Sequence, residues 1–442
     1  MMILIELLIF FSTILPLFHL INALLVRRKH VAKSDIERKI SILIPCYNEE
    51  DTVALSFRGL MQMNYRRFEV IYINDGSEDA TLEKLDQLLH LKPVPDVILH
   101  GRATLYRSQR YRNFRVIDKC KGGKSAALNM GLMLAKSEII VTLDADSVLE
   151  RGALKILSDA FDDPNVVAAG GAIHIMQGYD PAFYHCRYRG VRNVLVSLQM
   201  LEYLKGFYVY KLSLARQDAI AIISGAFGAF KRSALIAVGR YRRTLGEDID
   251  ITMRIQKMIH NTKQKVVYLP DALCYTQCPE NWHDLTRQRL RWQKGFVDCT
   301  MHHHRFLLRT FLYKSLSFHY LAEAFVIGQF SCLFTVLNYL LAVALALTHP
   351  GAAGTFLFYL GLCVFLNLCY TLGALVISKR YHRYPRGAWK KKLLAVVLDA
   401  LFYRYFNLFT YMAGTISYFW NRRDARWNKV ARSKQYYCVT DS

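Results

Sequence analysis

Residues 2 to 26 form an almost unbroken apolar run that ends in Arg27, Arg28 and Lys29, and this feature restricts the chain more than any other. About 20 apolar residues span a hydrocarbon core. In lipid every backbone polar group needs an internal partner, so the run is expected to be a helix. A removable signal peptide carries its positive charges before the apolar run, whereas here they follow it. The positive-inside rule then makes the chain after Lys29 cytoplasmic.

Further apolar stretches lie at about Leu316 to Leu347, Thr355 to Ile377 and Leu393 to Trp420. The first two exceed the usual length of a buried core helix. The last contains Asp399 and Arg404, which leaves a single span and a hairpin both open. The formal net charge of +23 would suit nucleic acid, an anionic membrane surface or a phosphorylated ligand. Basic runs such as Lys390, Lys391 and Lys392 sit directly beside apolar stretches, which favours the cytoplasmic membrane face and makes nucleic acid the weakest of the three. The 10 cysteines include no Cys-x-x-Cys pair and read as reduced thiols. Cys274 and Cys278 lack the second pair or spaced histidines of a zinc set, and His302 to His304 read as a juxtamembrane run.

Between Ile40 and about Leu269 short β-rich runs alternate with helical ones. Strands are predicted at Ile40 to Cys46, Phe68 to Asn74, Phe114 to Asp118, Glu138 to Asp144 and Val166 to Ile175. Helices are predicted at Thr52 to Met63, Asp79 to His90, Lys124 to Ala135 and Leu149 to Phe161. This spacing implies a mostly parallel α/β sheet with right-handed crossovers and a ligand crevice beyond the carboxyl ends of the strands. Polar clusters fall at those ends: Tyr47-Asn48-Glu49, Asp75-Gly76-Ser77 and Asp144-Ala145-Asp146.

Asp144 and Asp146 leave a strand on one side, separated by one small residue, which suits a hard divalent cation such as Mg2+ or Mn2+ holding a nucleotide diphosphate. Lys124, after Gly122-Gly123, either neutralises a phosphate at a helix start or is an exposed lysine; the spacing is not that of a P-loop. In Gly246-Glu247-Asp248 the acid at a helix start is a cap or a poised base. Helical spacing puts Gln288, Arg291 and Trp292 on one face, either for a sugar phosphate or as a membrane-interface anchor. The basic stretch Arg102, Arg107, Arg110, Arg112 and Arg115 reads only as a solvated or membrane-facing hairpin.

Seven motifs in order over about Ile40 to Arg309 resemble the family 2 processive membrane glycosyltransferases, the cellulose, hyaluronan and poly-N-acetylglucosamine synthases. They are Pro45 to Glu49, Asn74 to Ser77, Gly123 to Asn129, Asp144 to Asp146, Ser224 to Gly228, Gly246 to Asp248 and Gln288 to Trp292. The poly-N-acetylglucosamine branch is nearest, because a single soluble domain lies between short sets of spans. Gly246 stands where Thr is commoner in the family, a departure that touches no reacting group. The resemblance implies a Rossmann-like GT-A fold, with Tyr47, Glu49, Asp75 and Lys124 around the nucleotide. It implies that Asp144 and Asp146 handle ribose and metal-bound diphosphate and that Asp248 is the catalytic base. Ser224 and Gly225 would line the acceptor site, with Gln288, Arg291 and Trp292 over the diphosphate and the acceptor's terminal sugar.

The expected organisation is a transmembrane helix in residues 1–28, a cytoplasmic GT-A domain in 38–280, interface helices in 281–315, transmembrane helices in 316–420 and a basic tail in 421–442. The expected reaction polymerises a β-linked polysaccharide from a UDP-sugar with inversion and moves it across the bilayer, with N-acetylglucosamine first and glucose next. A small membrane partner subunit is left open. Two rivals stand beside this: a non-processive transferase with a lipid acceptor, and a nucleotide-binding membrane receptor without turnover, for which Asp248 would have no use.

Overall fold

The computed structural model describes residues 16–26, 36–95, 103–179, 190–322, 350–381 and 393–420, with scattered positions between 324 and 348. Two compact units result. Among the described residues, one comprises 36–179 and Ile220–Glu280; the other comprises 16–26, Gly190–Ala219 and the described positions of 281–420.

The first unit is built on a 10-stranded sheet. Its strands are β1 (Ile40–Cys46), β2 (Phe68–Asp75), β3 (Leu91–Pro93), β4 (Ala103–Ser108), β5 (Phe114–Lys119), β6 (Ile139–Leu143), β7 (Val148–Leu149), β8 (Val166–Ile175), β9 (Phe227–Lys231) and β10 (Lys265–Thr276). They lie in the order β3-β4-β5-β2-β1-β6-β9-β8-β10-β7. All residues of β1 and β6 are buried, as continuous apolar runs covered on both faces must be. The pairs β1–β2, β1–β6, β2–β5 and β8–β10 are parallel.

The sheet as a whole is mixed, which corrects the mostly parallel expectation. β9 runs antiparallel between β6 and β8, and β4, β3 and β7 add further antiparallel pairs. Small residues in β8 make room for this insertion. A Cβ on Gly171 would lie 2.3 Å from the Phe227 ring at the start of β9. A run read for its apolar content alone conceals such a neighbour. The described part of the basic stretch, from Arg107 to Arg115, forms the β4–β5 hairpin, where Arg107 faces Arg115 and Arg115 pairs with Glu69.

In the second unit the helix Val194–Lys205 continues through a π turn, Gly206–Tyr210, into Lys211–Arg216. Other helices are Pro16–Leu25, Trp282–Thr310, Ser315–Ala322 and Pro350–Ser378. Leu393–Trp420 is a single helix interrupted by a π turn at Asp399–Tyr403, which decides against a hairpin. Among the described residues it is the one helix long and apolar enough to cross a membrane; Pro16–Leu25 and Val364–Ser378 are shorter apolar helices. Asp399 is fully buried and binds Lys205 through both carboxylate oxygens, at 2.8 and 2.6 Å, and Thr371 at 3.1 Å. Arg27 to Lys29, Arg102, Lys390 to Lys392, most of the 323–349 stretch and the tail after Trp420 lie outside the described residues.

Candidate active site

Because β1, β2 and β6 run parallel, their carboxyl ends open on one edge of the sheet, with Cys46 opposite Asn74 and Leu43 opposite Thr142. Tyr47, Glu49, Asp75, Asp144 and Asp146 all follow from that edge. Asp75 is buried and accepts from the backbone N–H groups of Gly122 and Gly123 at 2.9 and 2.6 Å and from Lys119. The glycine pair thus wraps a carboxylate and presents Lys124 at the first turn of the next helix. Gly76 serves the same loop: its φ is +66° and a Cβ there would meet the Lys121 backbone nitrogen at 2.6 Å. Lys121 reaches back to Tyr47, whose hydroxyl it binds and whose ring centroid lies 4.2 Å away. Glu49 accepts from Thr52, and its backbone N–H donates to Thr81 at 2.8 Å.

Asp146 is buried and accepts from Ser147 at 3.1 Å and Thr276 at 3.4 Å. Asp144, two residues earlier, is partly exposed. Burial foremost, opposed by Lys124 and reinforced by the Asp146 charge, holds the Asp144 carboxyl above the usual carboxylate range. Two neighbouring carboxylates whose charges oppose each other supply hard oxygen ligands, and they fit a divalent cation such as Mg2+ or Mn2+.

Lys124 Nζ bridges Asp144 at 2.8 Å and Glu247 at 2.9 Å. Burial works against its charge, but Asp144 and Glu247 outweigh burial and hold it above the usual lysine range. Gly225 leaves space for this bridge, since a Cβ there would lie 2.9 Å from the Lys124 ammonium and 3.3 Å from Glu247. Ser224 opens the same turn through its carbonyl, which accepts from Phe227 at 3.0 Å.

Asp248 lies in the first turn of the helix Glu247–Met258, behind Gly246 at the N-cap, so it is not the cap itself. Its carboxylate accepts from the backbone N–H of Gly225 at 3.2 Å and of Ile249 at 2.8 Å. Thr252 fixes this arrangement by donating to the Asp248 carbonyl at 2.7 Å and accepting from Ile223 N–H at 3.1 Å. Burial first and the Glu247 charge second push the Asp248 carboxyl up to about 6, against Lys124 and the two amides. A carboxylate tuned this far toward neutrality is suited to accept a proton.

Sequence reading gives Glu247 no role beyond its place in the motif Gly246 to Asp248, and it does not point to Thr252. The spacing of Glu247, Asp248 and Asp250 within one helical turn was the available signal, and Asp250 proves fully buried between Arg242 and Arg254.

The helical unit holds the remaining candidates on the continuous helix Trp282–Thr310, which realises the spacing of Gln288, Arg291 and Trp292. Trp292 is 43% exposed, and its ring centroid lies 4.3 Å from the Arg289 guanidinium. Arg289, passed over in sequence, is buried and donates to Glu202 at 2.8 Å.

Residues 41–239 match the family model described as Glycosyl transferase family 2. The poly-beta-1,6-N-acetyl-D-glucosamine synthase of Staphylococcus epidermidis is 29% identical over 375 residues, covering 82% of this chain and 79% of that protein. The synthase of the same description from Staphylococcus aureus strain MSSA476 is 29% identical over 275 residues, 62% of this chain and 56% of that protein. In fold the chain resembles the mannosyltransferase PcManGT from Pyrobaculum calidifontis, solved in complex with GDP-Man and Mn2+. That likeness has a TM-score of 0.60 at 16% identity, over 95% of this chain and 99% of that one.

Proposed function

Because this chain is a glycosyltransferase with a family 2 domain over residues 41–239, we propose that it is a processive, inverting synthase that extends a β-linked polysaccharide from UDP-N-acetylglucosamine. UDP-glucose is the next donor. The observation that carries this reading is the cluster in which Asp248, held by two backbone amides, adjoins a lysine already shared by Glu247 and Asp144. That cluster joins a proton acceptor to carboxylates fit for a donor, as transfer requires.

In the proposed reaction Asp248 takes the proton of an acceptor hydroxyl as its oxygen bonds to the anomeric carbon. The bond from that carbon to the diphosphate breaks on the opposite face, so configuration inverts without a covalent intermediate. Tyr47, Glu49 and Asp75 hold the nucleoside end of the donor. Asp144 and Asp146 would hold Mg2+ or Mn2+, which when bound would supply positive charge against the diphosphate. Gln288 and Arg291 act on the diphosphate, Trp292 on the terminal sugar of the acceptor, and Ser224 and Gly225 line its site.

The apolar runs that flank the domain support a multi-pass cell-membrane protein with this domain in the cytoplasm and the polymer leaving through the helices. Purified protein in detergent, given separate radiolabelled UDP-sugars, should convert UDP-N-acetylglucosamine into a ladder of long products. A single added sugar would replace polymerisation with one transfer, and an untouched donor would leave only binding.

A further inference from the structure

The segment that leads from the helix Arg232–Ala237 into the helix Glu247–Met258 takes an unfavourable path. Gly239 and Arg240 both have positive φ, 80° and 63°, a region that a residue with a side chain such as Arg240 rarely adopts. Tyr241 is 6% exposed, and its hydroxyl is buried without a hydrogen-bond partner among the described residues. Neither backbone preference nor the phenol fixes this path, so its hold comes from the surrounding structure.

Two helices supply it, and both grip main-chain atoms. On the Lys124–Leu134 helix, Ser125 and Asn129 lie four apart and so share a face. Asn129 accepts from the Tyr241 N–H at 2.9 Å and donates to the Tyr241 carbonyl at 2.7 Å, and Ser125 donates to the Arg242 carbonyl at 2.9 Å. On the Glu247–Met258 helix, Arg254 donates to the carbonyls of Val238 and Arg240, and Asp250 pairs with Arg254 at 2.8 Å and Arg242 at 3.0 Å. Residues 238–242 are therefore a splint between the helix that begins with Lys124 and the helix that carries Asp248. The direct link from Lys124 to Glu247 runs through a flexible four-carbon stem, which sets spacing less firmly than bonds to backbone.

We propose that Asn129 and Ser125 are positioning residues for the transfer reaction, which act through residues 238–242 to set where Asp248 stands relative to the Lys124 helix. This rests on the reading of Asp248 as the proton acceptor, and it gives a role to the part of the motif Gly123 to Asn129 that lies beyond the lysine. Misplacing a reacting group by about 1 Å costs about 100-fold in rate, so a loosened splint shows in kcat before it shows in folding.

The full chain in detergent is assayed for transfer from radiolabelled UDP-N-acetylglucosamine and titrated calorimetrically with UDP and Mn2+. The samples are wild type, Ser125→Ala, Asn129→Ala, Asp248→Asn, and Asn129→Ala combined with Asp248→Asn. The stoichiometry of UDP binding counts the folded molecules in each, and Ser125→Ala, the milder change, keeps the test decisive where Asn129→Ala folds poorly. Per binding site, both single variants should lose about tenfold or more in kcat, with donor KM and UDP affinity within about twofold of wild type. Their acid limb in kcat/KM should also move to lower pH. Water admitted by a looser splint relieves the burial of Asp248, while Glu247, Lys124 and Tyr241, the ionisable groups that act on it, are all retained. Added to Asp248→Asn, Asn129→Ala should cost no further rate, because it acts through the carboxylate already lost. Single variants with wild-type kcat per site, or with an unmoved limb, overturn the proposal, as does a further loss in the double variant, which would make the role structural. Near wild-type transfer by Asp248→Asn sinks the reading of Asp248 and the proposal with it. Transfer lost in Asp248→Asn but kept in Ser125→Ala and Asn129→Ala sinks the positioning role alone.

Discussion

At the scale of single residues the chemistry turns on Asp248. Its carboxyl, pushed up to about 6 by burial and by Glu247, must be ionised to take a proton. kcat/KM should therefore fall about tenfold per pH unit below about 6. Glu247→Gln removes the neighbouring negative charge and should move that limb to lower pH. A limb that stays in place would show that another group titrates. Asp248→Asn should cut transfer by about 10²- to 10⁴-fold while donor binding persists, which equilibrium binding and product assays on one sample can separate.

The sign of the stability effect follows from the same shift. An acid whose folded pKa is raised favours the fold while protonated; that stability is complete below the unfolded value near ~4 and is lost as pH rises through about 6. Asp248→Asn should gain in melting temperature over wild type across this window and hold the gain above it. Asp146→Ala, by contrast, should abolish the part of donor affinity that a chelator removes from wild type. If the chelator leaves wild-type binding unchanged, the metal role of Asp144 and Asp146 is wrong.

At the scale of elements, the Trp282–Thr310 helix carries two readings of Trp292 that predict different defects. An interfacial anchor, once lost, lowers yield and stability but leaves each folded molecule active. A platform for a sugar ring contacts the C–H face of any pyranose and so can hold each new chain end. The ring is half exposed and also packs on Arg289, so its outer face has room for a sugar. Trp292→Ala should keep membrane insertion and donor affinity and lose most polymer output; normal output per folded molecule returns the residue to an anchor.

Elements also show where sequence reading reached its limit. β1, β2, β5 and β6 were legible because each is an apolar run closed by polar residues, and their parallel register carried Tyr47, Asp75 and Asp144 to one edge. β9 was not, because Phe227–Lys231 is short and its partner β8 signals the insertion only through glycines. The Lys124–Glu247 contact was equally hidden, since two residues 123 positions apart leave no local pattern when the sheet order that joins them is itself unread.

At the scale of the whole molecule, the proposed topology has a consequence that one cysteine can report. Cys46, Cys274 and Cys278 of the sheet unit are buried, and burial pushes the thiols of Cys46 and Cys274 well up, so all three should resist a polar reagent. Cys120, between β5 and the Lys124–Leu134 helix, is exposed. If the apolar run ending at Arg27 to Lys29 spans the bilayer with its basic end inside, Cys120 faces the cytoplasm. In a chain carrying Cys186→Ser and Cys438→Ser, a membrane-impermeant maleimide should then label it in inside-out vesicles but not in right-side-out ones, and Cys120→Ser added to that chain should remove the difference. A saturating concentration of UDP should also slow the labelling, because the backbone beside Cys120 is tied to Asp75 through Lys119, Gly122 and Gly123. Labelling of Cys120 from the outer side alone would invert the topology and place the nucleotide site away from the cytoplasmic pool of UDP-sugars. A thiol labelled from the inner side, but indifferent to UDP, would keep the topology and remove Asp75 from the nucleotide site.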